Sequence, residues 1–214
     1  KTSSRWRYLL TLGQGVLVFG LFVSFSRAAW LAVLVGVITF IGLAYREKIR
    51  SLDRHLIGMQ VALYLFFSLG LFLIYMPLVA TRLAANGRIE ERSLRERTSQ
   101  YGQAKDIFFT HPWLGIGPGE YTPTLFDNFG ADARLNAVQP VHNVYLLMLI
   151  ELGAPLFMLL VIAGFLVLRT VWRINPLGVA LVGPVLVLGI FDHFWWTLFT
   201  GVVLWLVIFA LAYK

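Results

Sequence analysis

"HNVYLLMLIELGAPLFMLLVIAGFLVL", residues 142–168, decides the fold class. It opens on a histidine and an amide, then runs apolar for longer than the roughly 20 residues that cross a hydrocarbon core. A single carboxylate, Glu151, interrupts it. A helix that is apolar all round belongs in lipid or at the centre of a large core. Further runs of about 20 apolar residues follow in a chain of only 214, which points to lipid.

Working outward, 58% of the residues are hydrophobic and 14% charged, and the mean hydropathy is +0.75. Soluble domains carry about 25% charged residues. The expected fold is therefore all-α, a polytopic membrane helix bundle with six spans at about 8–26, 28–45, 56–80, 142–168, 177–191 and 194–213. Strands of period two are not evident, which argues against a transmembrane barrel. With no cysteine there is neither a disulfide framework nor a thiolate metal site. The chain begins at Lys1 with no small-residue cleavage site after its first apolar run, as expected of a fragment or processed chain without a signal peptide.

The net charge of +7 reads as a record of topology rather than as a nucleic-acid patch. Lys1, Arg5, Arg7, Arg46, Lys48, Arg50, Arg54, Arg169, Arg173 and Lys214 fall on one side of the expected spans. The short connections on the other side hold only Arg27. The positive-inside rule places the basic side in the cytoplasm and residues 81–141 outside as a large loop. The expected organisation is three spans in 1–80, a loop domain in 81–141, and three spans in 142–214. The unusual polar chemistry then gathers on the outer face: Ser26 and Arg27, the loop, His142 and Asn143, Asp192 and His193.

Within the loop, "SLRE" at 93–96 has the spacing of a capping box, and a helix over about 94–109 is expected to follow and to stop before Pro112. Arg97, Tyr101, Lys105 and Phe108 would share a face of it. A cationic and aromatic face beside lipid suits a sugar-phosphate or lipid headgroup. "GIGPGEY" at 115–121 has alternate glycines but lacks the flanking strand and helix of a dinucleotide fingerprint. It reads as a tight turn, either for re-entry to the membrane or for close approach to a glycan.

Each polar residue has a functional and a plain reading. Arg27 is an anion ligand or an arginine snorkelling to lipid phosphate. His142 titrates near neutrality and can take a proton from a hydroxyl, or it is structural. Asn143 can hold its tautomer or cap the helix. Glu151, about 13 Å deeper at 1.5 Å per residue, is too deep for the same proton and suits a hydrogen bond to a neighbouring span. Asp192 can pair with an arginine or orient an imidazole, and Phe194, Trp195 and Trp196 fit an interfacial belt. No histidine pair or acidic cluster has the spacing of a metal site, so neither metal nor cofactor is expected.

"FSRAAWLAV", an arginine in the helix before "HPWLGIGPGEY", "HNVYLLMLIELGAPLF" and "FDHFWWT" occur in the order and spacing of the O-antigen ligase and polymerase superfamily. The chain resembles the C-terminal half of such bacterial envelope enzymes over nearly its whole length. The resemblance implies a metal-independent glycosyltransferase of the bacterial inner membrane, serving lipopolysaccharide or other envelope polysaccharide synthesis. Its donor would be a glycan on undecaprenyl diphosphate. Its acceptor would be a glycolipid or glycan hydroxyl, such as one on lipid A-core, at the periplasmic face. It further implies Arg27 and Arg97 as diphosphate ligands and His142 as the base, with Asn143, Asp192, His193 and Tyr101 in support. Alternatives are a polysaccharide polymerase or a protein O-glycan ligase with the same donor chemistry, and, from another class, a lipid-linked glycan transporter. Transporters place polar residues near the midplane, so the one-sided distribution here favours the enzyme.

Overall fold

A computed structural model describes residues 4–46, 51–84, 88–129 and 139–213. Among them the chain is all-helical, with no strand. Lys1, Lys48, Arg50 and Lys214 of the topology count lie outside the described residues. The molecule divides into two compact units, Lys1–Glu90 and Glu91–Lys214.

The first unit holds α1 (Ser4–Val23), α2 (Arg27–Arg46), α3 (Ser51–Ile74) and α4 (Met76–Ala84), with α1 packed chiefly on α3. Large apolar side chains face outward, as at Leu17, Phe66 and Ile74, where 70% or more of the surface is exposed. That is the surface of helices that meet lipid. The turn between α1 and α2 is tight: Phe25 has φ 48°, and Ser26 Oγ caps α2 by accepting from the Ala29 amide at 3.2 Å. Trp30 donates to the Leu21 carbonyl at 3.1 Å and stacks on Phe22. The expected third span is divided at Tyr75. Pro77 explains this, since it has no N–H for the carbonyl of residue 73 and its ring crowds that carbonyl.

The second unit holds α5 from within its first turn (Arg88–Thr110), α6 (Tyr121–Phe129), α7 (Val144–Ile174), α8 (Val179–Phe191), the single turn α9 (Phe194–Thr197) and α10 (Phe199–Tyr213). Among the described residues two helices, α2 and α7, are long and apolar enough to cross a membrane, and shorter apolar helices accompany them. The expected sixth span is interrupted by extended backbone at Leu198. Helix α5 starts earlier than expected, so Ser93 lies inside it and the capping box does not form. Instead Glu96 accepts from Arg92 at 2.8 Å, and Glu91 and Arg95 approach to 4.0 Å. Such i,i+4 pairs support helix upstream of Ser93. The inward stripe of α5 is Gln100, Ala104 and Ile107. It packs with Tyr121 and Leu125 of α6, and with Val141, Leu147 and Ile150 at the start of α7.

Helix α7 is not the single rod expected over 142–168. Gly153 sits at φ 73°, ψ 165°, a conformation that only glycine adopts readily, and Pro155 follows. The backbone accounting is complete. Pro155 has no N–H to give the Glu151 carbonyl, which accepts from the Gly117 amide instead, at 2.9 Å. The Ala154 amide turns away to the Pro112 carbonyl at 2.9 Å, and the Ile150 carbonyl it leaves accepts from Ile116 at 3.1 Å. The "HPWLGIGPG" loop is thus docked into the break. A Cβ on Gly115 would strike the Glu151 carbonyl, and one on Gly153 would strike the Trp113 carbonyl. Burial changes at the same place. Leu147 and Glu151 are 0% and 2% exposed, whereas Leu159 and Phe165 beyond it are 61% and 65% exposed.

Candidate active site

The polar residues of the second unit converge where α5, the start of α7 and the α8–α9 corner meet. His142 is the penultimate residue before α7. Its Nδ1 lies 2.9 Å from Gln100 Oε1 on α5. A carboxamide oxygen only accepts, so Nδ1 carries the hydrogen and Nε2 holds the lone pair. Asn143 is the helix N-cap, its side chain accepting from the Leu146 amide at 3.0 Å. Of the two roles open to Asn143, capping is the one its side chain performs, and Gln100 holds the imidazole.

The other side of His142 meets His193, with ring centroids 5.3 Å apart at 77°. His193 Nδ1 is 2.8 Å from Thr197 Oγ1. The same hydroxyl also lies 3.3 Å from the His193 carbonyl, so it ties both the ring and the backbone of His193 to α9. Asp192 closes the corner from both ends. Its carboxylate accepts from the His193 amide at 2.7 Å, and its backbone carbonyl accepts from the Val144 amide at 3.1 Å. Burial holds both imidazoles below the usual histidine range, against the upward pull of the Asp192 carboxylate. The positive charge of Arg97 also lowers His142, and Glu96 opposes it. His142 is therefore neutral at neutral pH, with its lone pair available to accept a proton.

Arg97 is half-buried one turn before Gln100 on α5. Tyr101 and Lys105 are exposed, so only part of the expected Arg97, Tyr101, Lys105 and Phe108 face turns inward. One residue step rotates a helix side chain by about 100°, which carries Tyr101 off the stripe that holds Gln100. Arg27 is exposed at the first position of α2 in the other unit. Among the described residues no group of three or more histidine, aspartate or glutamate side chains is arranged to hold a metal ion.

Glu151, two residues before the break in α7, is tied to the α9 turn. It accepts from Trp196 Nε1 of α9 at 2.6 Å, next in sequence to the Thr197 that holds His193. Sequence reasoning passed over Gln100, although a polar residue one turn after Arg97 on an otherwise small or apolar stripe is a legible signal. It also took Trp196 for a belt residue, and nothing local to "FDHFWWT" indicates Glu151 as its partner.

Fold and site together define the class: a helical membrane protein that gathers histidine, arginine and carboxamide groups at one end of a broken apolar helix. The chain belongs to the O-antigen ligase family, whose model matches residues 15–161. That match includes Arg27, Arg97, Gln100, His142 and Glu151 and stops before Asp192. No curated protein and no solved structure matches the chain.

Proposed function

We propose that the chain carries the catalytic site of a ligase-type glycosyltransferase, which moves a glycan from undecaprenyl diphosphate to an acceptor hydroxyl at the outer face of the bacterial inner membrane. The observation that carries this reading is the Gln100–His142 pair: an imidazole fixed at Nδ1, kept neutral by burial, with Nε2 free to take a proton. In the reaction the acceptor oxygen attacks the anomeric carbon and its proton passes to His142 Nε2. The bond from that carbon to the diphosphate oxygen breaks, and the electron pair leaves on the diphosphate. Arg97 is the proposed partner of that developing charge, since a guanidinium stays charged and binds phosphate bidentately. Arg27 is proposed as a second diphosphate ligand from its sequence motif alone. With one base and no protein nucleophile, a single displacement inverts the anomeric centre.

The α7 break supports a placement in the membrane. Irregular backbone like that of the docked loop is tolerated in a bilayer only when protein or water covers it. The proposed hydrocarbon level therefore starts past Gly153, and residues 154–174 span about 31 Å at 1.5 Å per residue, enough for one crossing. Glu151 is then at the outer boundary, not deep inside.

Full-length protein in lipid, given lipid-linked oligosaccharide and lipid A-core, tests the reading. His142→Ala is expected to lower transfer by about 10²-fold or more, and Arg97→Ala to lower it as well. Normal rates in both variants would exclude the site. Transfer should persist in EDTA; loss in EDTA with recovery in magnesium contradicts the metal-free chemistry. A lengthening ladder on the carrier lipid, with donor alone, would identify a polymerase instead.

A further inference from the structure

Beside the α7 break lies a cavity of about 500 Å³ whose walls include Tyr121, Thr122, Pro140, Glu151, Trp196 and Thr197. Its size falls within the roughly 300–1,000 Å³ of small-molecule sites. Two features mark it as built for a ligand. The Tyr121 side chain is 1% exposed, yet its buried hydroxyl has no hydrogen-bond partner among the described residues. Buried polar groups are nearly always paired, and an exception calls for a missing partner. Glu151, 2% exposed, gives one carboxylate oxygen to Trp196 Nε1 and retains further acceptor capacity.

We propose that this cavity is a saccharide subsite that seats an uncharged sugar ring against the Thr197 wall, one hydrogen bond from His193. The inference rests on the glycan-transfer reading and adds where the sugar sits. A pyranose offers hydroxyls that both donate and accept, set around an apolar ring face. Glu151 accepts from such hydroxyls, Tyr121 both donates and accepts, and the Trp196 indole offers a flat apolar wall. Burial pushes the Tyr121 hydroxyl well above its ordinary range, so it keeps its proton as a donor. Glu151 is the one charged residue among the described residues that line the cavity. A diphosphate is repelled there, which leaves the uncharged part of a substrate as the occupant. Thr197 lines the cavity and holds His193 Nδ1, linking the subsite to the base.

The sugar can come from the donor glycan or from the acceptor, and kinetics on the full-length protein separates them. Tyr121→Phe removes only an unpartnered hydroxyl, so its melting temperature should match wild type. It is expected to raise one KM about three- to tenfold, with the larger share of the change in KM rather than kcat. Glu151→Gln can still accept from Trp196 and should raise the same KM about tenfold or more. A rise confined to the lipid-linked donor assigns the sugar to the donor; a rise confined to the acceptor assigns it to the acceptor. Unchanged KM for both substrates in both variants, each folded as wild type, overturns the subsite. If wild-type protein transfers no glycan, the transferase reading fails by itself, and titration calorimetry with glucose, galactose and N-acetylglucosamine decides the subsite. Binding that Tyr121→Phe weakens keeps it, and no binding by wild type overturns it.

Discussion

His142 is held neutral, with its lone pair available, by what surrounds it rather than by its own chemistry. Burial lowers its pKa below 6.5, and Gln100 fixes which nitrogen is free. The acid limb of kcat/KM is therefore expected below pH 6.5, with activity lost as the pH falls through the folded-state value. Gln100→Glu would set a carboxylate against Nδ1, favour the imidazolium and move that limb to higher pH. Gln100→Leu would leave the tautomer unheld and should lower kcat by roughly tenfold or more, with substrate KM little altered. A pH–rate profile on each variant checks both outcomes; an unmoved limb in Gln100→Glu would remove Gln100 from the site. The same shifts affect stability. Both histidines bind protons less readily folded than unfolded, so their contribution is complete above about pH 6.5 and declines as the pH falls through the lowered values.

At the level of elements, the docking of the glycine loop into α7 decides the site. Three backbone hydrogen bonds join residues 112–117 to residues 150–154. Gly153→Ala would force a side chain into a glycine-only conformation and against the Trp113 carbonyl. A loss of about 1–3 kcal/mol is expected from the backbone strain alone, and more if the loop undocks. Thermal unfolding in detergent or nanodiscs measures it, and a wild-type melting temperature would mean the loop does not hold the break. Activity should fall with stability, because Glu151, whose carbonyl holds the docked loop, also holds Trp196 beside Thr197 and His193. The Gly-Ala-Pro run at 153–155 was a visible signal for the break. Its partner was not visible, because nothing in a linear sequence pairs Ile116 and Gly117 with carbonyls more than thirty residues away.

Across the whole molecule, the orientation proposed from charge can be checked directly, since the chain has no cysteine of its own. Single cysteines at Trp113, 73% exposed, and at exposed Arg169 report opposite sides. A membrane-impermeant maleimide on intact spheroplasts should label Trp113→Cys at once and Arg169→Cys only after permeabilisation. The reverse pattern would invert the topology and put His142 in the cytoplasm, where a periplasmic transfer cannot occur.

The sequence by itself determined the helical, apolar character of the chain, because hydropathy over 20-residue windows is local and needs no partner. It also marked His142, Asp192 and His193 as unusual, since polar groups at the ends of apolar runs are costly without a role, and Arg97 by its place on a cationic and aromatic face of the loop helix. Tertiary structure decided which of them meet. It put Gln100 rather than Asn143 on the imidazole, turned Tyr101 outward, and set Glu151 against Trp196. Those pairings depend on where backbone hydrogen bonds are satisfied when a glycine and a proline break α7, and that balance is settled only once the 112–117 loop is in place.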